Sequence, residues 1–235
     1  MLIVWRLLLS HLLADFTFQS DYINRWKRQS FLGLLAHCAI HFLIAVALLF
    51  PYLNMIWIDA GSVKLQGWTC LLAIMFIHLM EDHWRIFSMR KFHTSDSIAH
   101  FLWDQVIHIS AILALSPVYG MGVGGSFFPE KWVVLACLFV CVTHALTVLI
   151  YFLEKDMYGA EFPLFDEKYL GMVERLVLWG FMLLPGYWWI PFLLLWLAHI
   201  AYLRKKRILD FSKAGLYVGL FCTFILGLAA RAIIY

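Results

Sequence analysis

The sequence has 235 residues, of which 63% are hydrophobic and only 14% are charged, and this composition excludes an ordinary water-facing globular protein. The formal net charge of +3 is too small to indicate nucleic-acid binding, so we expect no nucleic-acid partner. Since one membrane crossing needs about 20 apolar residues, the length predicts roughly eight crossings and a single integral membrane domain over residues 1–235.

Apolar runs separated by polar breaks predict an all-α fold, a polytopic bundle of transmembrane helices. The first run could be mistaken for a secretory signal, but it carries His11 and Asp15 and no small-residue cleavage site follows. We therefore interpret it as a retained helix. In chain order, the predicted helices cover residues 2–19, 31–53, 67–87, 97–119, 131–153, 169–185, 187–204 and 211–234.

Basic residues concentrate in alternate loops between these predicted helices. They lie at Arg25, Lys27 and Arg28, at Arg90 and Lys91, and at 204–207. Because positive residues are retained on the cytoplasmic side of a membrane, this alternation predicts that the three loops lie inside and both termini outside.

Four of the predicted helices each carry two ionisable side chains spaced four residues apart, which places both on one helix face. With a rise of 1.5 Å per residue, all eight side chains lie roughly 6 to 16 Å from the cytoplasmic ends of their helices. An ionisable group inside a bilayer is costly unless it is paired, solvated or bound to a metal, so the shared depth predicts a buried polar site. The pairs are His11 and Asp15, His37 and His41, His78 and Asp82, and Asp104 and His108.

Imidazole nitrogens and carboxylate oxygens are the usual ligands of zinc and iron, so we predict a divalent-metal site with zinc favoured and iron second. The candidate ligands are those eight residues. They exceed one tetrahedral shell, which leaves two arrangements open: a dinuclear centre, or one metal whose ligating histidines are oriented by neighbouring partners. A proton or ion pathway and purely structural polar packing would use the same residue types.

Further polar residues are candidates for the surroundings of this site or for catalysis. Gln19 and Gln105 continue two of the polar faces, where an amide can anchor a ligand, a carboxylate or a packing contact. Asp104 and Glu174 are the candidate catalytic carboxylates, although Glu174 and Arg175 are most simply explained by ion pairing with their neighbours.

Five segments of the sequence look similar to those of a known family. They are HLLADFTFQ at 11–19 with Lys27 following, HCAIH at 37–41, HLMED at 78–82, DQVIH at 104–108 and GMVER at 171–175. Together they resemble an uncharacterised bacterial integral membrane family, domain-of-unknown-function family 3307, over most of the chain. The resemblance implies a multi-pass protein of the bacterial inner membrane and supplies no activity. Where that family tends to show a His, an Asp and then a Lys, this chain has His83 and Arg85 after Asp82.

The leading functional hypothesis is a metal-dependent intramembrane hydrolase, with membrane lipids around it and a lipid, prenyl or quinone-like substrate. A di-iron membrane oxidase or hydroxylase is a second enzyme hypothesis, although the paired HxxHH motif of such proteins is absent. A proton- or ion-coupled transporter and a structural membrane subunit are the hypotheses from other classes.

Overall fold

The structure, a computed structural model, describes residues 2–117, 129–159, 161, 165–205 and 212–235. The predicted helix ends at 118–119 and 211 and the basic residues at 206–207 lie outside the described residues. The chain is mostly helical and divides into two compact units, Met1–Cys137 and Leu138–Tyr235.

Five helices and a β-hairpin form most of the first unit. The elements are α1 (Leu2–Leu12) with a π-helical turn (Leu13–Thr17), α2 (Asp21–Gln29), α3 (Phe31–Leu49) with a 3₁₀ turn (Phe50–Tyr52), β1 (Ile56–Ala60), β2 (Val63–Gln66), α4 (Gly67–Phe92) and α5 (Ile98–Leu115). α1 packs on α3, α3 on α4, α4 on α5, and α5 back on α1, so these four helices close a bundle, while α2 packs against α3.

An apolar cluster fills the end of this bundle beside the antiparallel β1–β2 hairpin. The Trp57 indole lies in it and donates to the Tyr52 carbonyl at 2.9 Å, and a Cβ at Gly67 would lie 2.6 Å from the Trp57 ring. On each helix of the bundle, the inward-facing residue one turn away from this cluster is a histidine. The apolar members four residues before or after a histidine are Leu7, Ala45, Ile74 and Ile112.

Two elements of the first unit differ from the predictions. Residues 20–30 were expected to form a basic loop, but they contain α2, which begins after Ser20, whose hydroxyl accepts from the Ile23 amide at 3.3 Å. The hairpin occupies a predicted loop, with Gly61 at φ 72° in its turn. Both elements are too short to show as an apolar run of membrane length.

The second unit contains the remaining described helices. The elements are α6 (Glu130–Val140), which begins in the first unit, a second π-helical turn (Cys141–Ala145), α7 (Leu146–Tyr158), α8 (Phe165–Met182), α9 (Trp189–Lys205) and α10 (Lys213–Ile234). α10 packs against α7 and α8, and α8 packs against α9. The sequence predicted α6, the π-helical turn and α7 as one helix over 131–153.

Four helical segments in the described part of the chain are long and apolar enough to cross a membrane, which indicates a membrane protein. Large apolar side chains on their outer surfaces fit contact with lipid; Leu43 is 65% exposed and Trp103 61% exposed. The predicted count of eight crossings is not supported. α1 is too short to meet the same criterion, and α4, whose inner half carries histidines and charged residues, does not meet it either. The four segments are Phe31–Tyr52, Ile98–Leu115, Glu130–Tyr158 and Gly215–Ile234.

Candidate metal centre

The structure brings the four predicted polar pairs together inside the first-unit bundle. Each pair lies on the inward face of α1 with its π turn, α3, α4 or α5, because the spacing of four residues equals about one helical turn. The side chains are almost completely buried: His37 is 0% exposed and Asp104 3%. The predicted convergence of these residues is therefore present, while the assignment of any one of them as a metal ligand stays a prediction.

Asp15 occupies the centre of this cluster because of the π-helical turn. The turn widens the helix by one residue, with the Phe18 amide donating to the Leu13 carbonyl at 2.8 Å. The Asp15 Oδ1 lies 3.1 Å from His41 Nε2 and 3.2 Å from His37 Nε2. Its Oδ2 lies 3.5 Å from His11 Nε2. One carboxylate thus faces two histidines of α3 and one histidine of its own helix.

Four side chains bring potential metal-ligand atoms close together. One ligand atom from each of Asp15, His37, His41 and His78 lies within 4.8 Å of the other three. In a tetrahedral zinc shell with bonds of about 2.0–2.1 Å, neighbouring ligand atoms lie about 3.3–3.4 Å apart. The measured separations of Asp15 from His41 and His37, and the 3.4 Å between His37 Nε2 and His78 Nε2, are close to that value. These residues could hold a metal ion.

A second group adjoins this four-residue shell. His11, His78 and His108 also bring ligand atoms within 4.8 Å of one another, and the rings of His78 and His108 stack with centroids 4.0 Å apart. All three line a cavity of about 10 Å³, close to the size that one water molecule needs. The His108 Nε2 is buried with no hydrogen-bond partner in the described part of the chain. A buried polar atom of this kind normally has a partner, so the group suits a water or a further ligand.

Asp104 and Gln105 connect the cluster to α5. The Gln105 amide accepts from His11 through Oε1 at 3.2 Å and donates through Nε2 to Asp104 at 3.0 Å and to Asp15 at 3.4 Å. One Asp104 oxygen, Oδ2, also lies 3.2 Å from Arg85 Nη1. Its other oxygen, Oδ1, is buried without a hydrogen-bond partner among the described residues. Asp104, Asp15 and His108 form a third close group of ligand atoms.

Lys27 reaches the cluster from α2 and was not among the predicted site residues. Its Nζ donates to the two oxygens of Asp82 at 3.3 and 3.4 Å and to His37 Nε2 at 3.3 Å. Asp82, predicted as a ligand, is thus paired with an internal cation. The one sequence signal for Lys27 was its place after the HLLADFTFQ segment, which carries part of the family resemblance.

An ion-pair triad closes the end of the cluster near α2. Asp96, which precedes α5, accepts from Arg28 at 2.7 Å and from Arg85 at 2.8 Å. Burial raises the pKa of Asp96, but the two guanidinium groups outweigh burial and hold this pKa below its usual value. Sequence analysis missed Asp96 because it lies in a polar connection between helices, where a single carboxylate has no distinctive pattern.

The remaining predicted residues lie elsewhere. Glu174 lies on α8 in the second unit beside Arg175, and its acid/base role stays a prediction. Gln19 follows the π-helical turn, and its Oε1 is buried without a hydrogen-bond partner in the described part of the chain. Of the two predicted glutamines, Gln105 is the one that hydrogen-bonds to residues of the cluster within the described part of the chain.

Comparison with known proteins places the first unit in a family. The profile of a family of proteins of unknown function, DUF3307, matches residues 3–135, which is more than half of the chain, and the chain therefore belongs to this family. The match contains all eight predicted ligands but ends before the GMVER segment at 171–175, so it is shorter than the sequence resemblance implied. No curated protein and no solved structure matches the chain.

Proposed function

We propose that this DUF3307 protein is a metal-dependent membrane enzyme that hydrolyses a lipid, prenyl or quinone-like substrate. The observation that carries the proposal is the convergence of one ligand atom from each of Asp15, His37, His41 and His78; three of these side chains would hold the ion and leave the fourth tetrahedral position for a water molecule. Mixed nitrogen and oxygen ligation from buried side chains suits zinc first and iron second.

The neighbouring residues support hydrolysis. A zinc ion supplies Lewis acidity and lowers the pKa of a water molecule toward neutrality. The cavity beside His11, His78 and His108 has room for about one water molecule. Asp104 has one oxygen without a hydrogen-bond partner and lies beside both Asp15 and His108, so it is the carboxylate positioned to accept a proton.

An apolar groove on the outer face of α4 supports a lipid-like substrate. The groove has a volume of about 650 Å³ and is lined by Phe76, Met80, Trp84 and Phe87. It also contains Glu81, the chain neighbour of Asp82. Moving a long apolar chain from a bilayer into such a groove costs little free energy, because both environments are apolar.

The membrane setting completes the proposal. The basic segments of the first unit lie on α2 and at the end of α4, where Arg90 donates to the Arg28 carbonyl, so retention of positive charge inside would place the centre in the cytoplasmic half of the bacterial inner membrane. Eight crossings would require α1, α4, α8 and α9 to span the bilayer in addition to the four segments that qualify by length and composition.

Elemental analysis of the detergent-purified protein, prepared without chelators, tests the metal site. We expect about one zinc ion per chain in the wild type and almost none in His41→Ala. His83→Ala is the matched control, because His83 is an exposed histidine in the groove and should leave the metal content unchanged. Absence of metal from the wild type would contradict the proposal. Bound iron with an oxygen-sensitive absorption band would contradict hydrolysis and favour an oxidase or hydroxylase.

The hydrolysis itself is tested with a bacterial polar-lipid extract in mixed micelles. We expect zinc-loaded protein to release fatty acid or a headgroup product, and we expect a chelator or the His41→Ala substitution to abolish the release. Release that persists without metal would show that the cluster is not the active site.

A further inference from the structure

Asp15 has two carboxylate oxygens that face different parts of the polar cluster. Its Oδ1 lies beside His37 and His41, within the four-residue shell. Its Oδ2 lies 3.4 Å from the Gln105 amide nitrogen, which also donates to Asp104 at 3.0 Å. Oδ2 therefore lies on the Asp104 side of the cluster. A carboxylate whose oxygens are divided in this way has lone pairs for a separate metal ion on each oxygen.

Asp104 and His108 supply available ligand atoms on that side. One ligand atom from each of Asp15, Asp104 and His108 lies within 4.8 Å of the other two. Asp104 and His108 are each only 3% exposed. Arg85 and Gln105 hold Asp104 Oδ2, whereas Asp104 Oδ1 and both ring nitrogens of His108 have no hydrogen-bond partner in the described part of the chain. Buried polar atoms normally have a partner, so these atoms are available to a ligand.

This second group shares no nitrogen with the four-residue shell. The shell brings together nitrogens of His37, His41 and His78, whereas the second group uses a nitrogen of His108. Asp15 belongs to both groups and can give Oδ1 to one ion and Oδ2 to the other. Two carboxylates and one imidazole are a mixed ligand set that suits a divalent ion such as zinc, with a water molecule in the fourth position.

The charge of the surrounding network makes the second ion the weaker one. The contacts described above join four carboxylates to three cations, so with neutral imidazoles the network carries one net negative charge. The first divalent ion reverses this charge and repels a second ion. Protein purified without added metal should therefore retain one ion. The carboxylates are Asp15, Asp82, Asp96 and Asp104, and the cations are Lys27, Arg28 and Arg85.

We propose that Asp15, Asp104 and His108 form a second, weaker metal site and that an ion bound there inhibits hydrolysis. This inference rests on the proposed function, in which Asp104 accepts a proton. An ion bound to Asp104 Oδ1 occupies the oxygen that would accept this proton. The protein with one ion is therefore active and the protein with two ions is inactive, so the concentration of free divalent metal regulates the enzyme.

Equilibrium dialysis of the purified protein against buffered free zinc tests the second site. We expect one ion per chain at low free zinc and a second at a concentration at least about 100-fold higher. His108→Phe keeps an aromatic ring against His78 but removes both ring nitrogens, so this variant should bind one ion throughout. His83→Phe, the same change at an exposed histidine, is the matched control and should bind two. Asp104→Asn, which keeps the shape of the side chain, should also stop at one ion and serves if His108→Phe does not fold.

Lipid hydrolysis measured over the same zinc concentrations tests the inhibition. We expect the wild-type rate to fall by at least about 100-fold as the second ion binds. The inference would be overturned by a wild type that saturates at one ion, by a second ion that persists in the folded variants of His108 and Asp104, or by full activity with two ions bound. A wild type that binds no ion, or that hydrolyses no lipid with one ion bound, would instead overturn the proposed function.

Discussion

Each unit of the protein contains a π-helical turn within an apolar helical run, and the two turns use their polar groups differently. At Leu13–Thr17 the Asp15 carboxylate faces the ring nitrogens of His37 and His41. At Cys141–Ala145 the carbonyls of Val142 and Thr143 accept from Arg175 at 3.0 and 3.2 Å. The first turn orients a side chain toward the polar cluster, whereas the carbonyls of the second turn accept hydrogen bonds from a side chain of α8.

Hydrogen bonding of the buried ionisable side chains distinguishes the two regions within the described part of the chain. In the second unit, the Arg231 guanidinium donates to the carbonyls of Met182 and Gly186 at 2.7 and 2.8 Å, and Arg175 likewise donates to backbone oxygens. In the first unit, Asp104 Oδ1 and His108 Nε2 lack partners within the described chain. Intramembrane charge alone therefore does not identify a functional site; unsatisfied, convergent ligand atoms do so better.

The largest expected effect contrasts the two predicted catalytic carboxylates. Asp104→Asn should lower lipid hydrolysis by about 10²- to 10⁴-fold while keeping one zinc ion, because it removes the proton acceptor but none of the four shell ligands. Glu174→Gln in the second unit should change hydrolysis little. The measurement is the initial rate of lipid hydrolysis and the metal content of both variants. Loss of activity only in Glu174→Gln would contradict the choice of Asp104 as the proton acceptor.

The next effect concerns the ion-pair triad of the first unit. Asp96→Asn removes the acceptor shared by Arg28 and Arg85 and should lower the free energy of unfolding by about 3 kcal/mol, because it leaves a buried guanidinium without one of its partners. Thermal unfolding in detergent measures the loss. Asp21→Asn, an exposed aspartate on α2, is the control, and equal stability of the two variants would contradict a structural role for the triad.

The same carboxylate predicts a pH dependence. Since pairing lowers the pKa of Asp96 in the folded protein, its contribution to stability is fully present above the usual aspartate pKa of about 3.9 and is lost as the pH falls through the lowered value. The stability difference between wild type and Asp96→Asn should therefore shrink below about pH 4. A difference that is constant down to about pH 2 would show that Asp96 does not act through its charge.

A smaller effect is expected at the second π-helical turn. Arg175→Met leaves the carbonyls of Val142 and Thr143 without these donors and should cost about 1–3 kcal/mol of stability. Metal content should not change, since all four shell ligands belong to the first unit. Arg175→Lys keeps one donor group and should lose less stability in the same unfolding assay. Loss of zinc from Arg175→Met would contradict the claim that only the first π-helical turn serves the metal site.

Spacing made part of the site predictable from sequence. Pairs four residues apart fix which side chains share a helix face, and the common depth of His11, His37, His78 and Asp104 required only the order and direction of the helices. Their convergence in one bundle follows from that pattern. The sequence could not rank them as ligands, because ranking depends on separations of a few tenths of an ångström.

The unpredicted features depend on short elements and on tertiary contacts. α2 is nine residues long and mostly polar, so it gave no apolar run, yet it places Lys27 against Asp82. The π-helical turn that aims Asp15 has no sequence signature, because it differs from an α-helix by one added residue per turn. The number of membrane crossings was predicted from apolar runs alone, and runs such as α4 combine sufficient length with many charges.

X-ray absorption at the zinc edge of the zinc-loaded wild type tests the central claim most directly. The proposed shell of Asp15, His37, His41 and His78 predicts nitrogen and oxygen scatterers at about 2.0–2.1 Å, imidazole scattering beyond them and no sulfur. A sulfur shell at about 2.3 Å, which would place the ion at a thiol such as the buried Cys38, would contradict it. A shell of oxygens without imidazole scattering would contradict it as well.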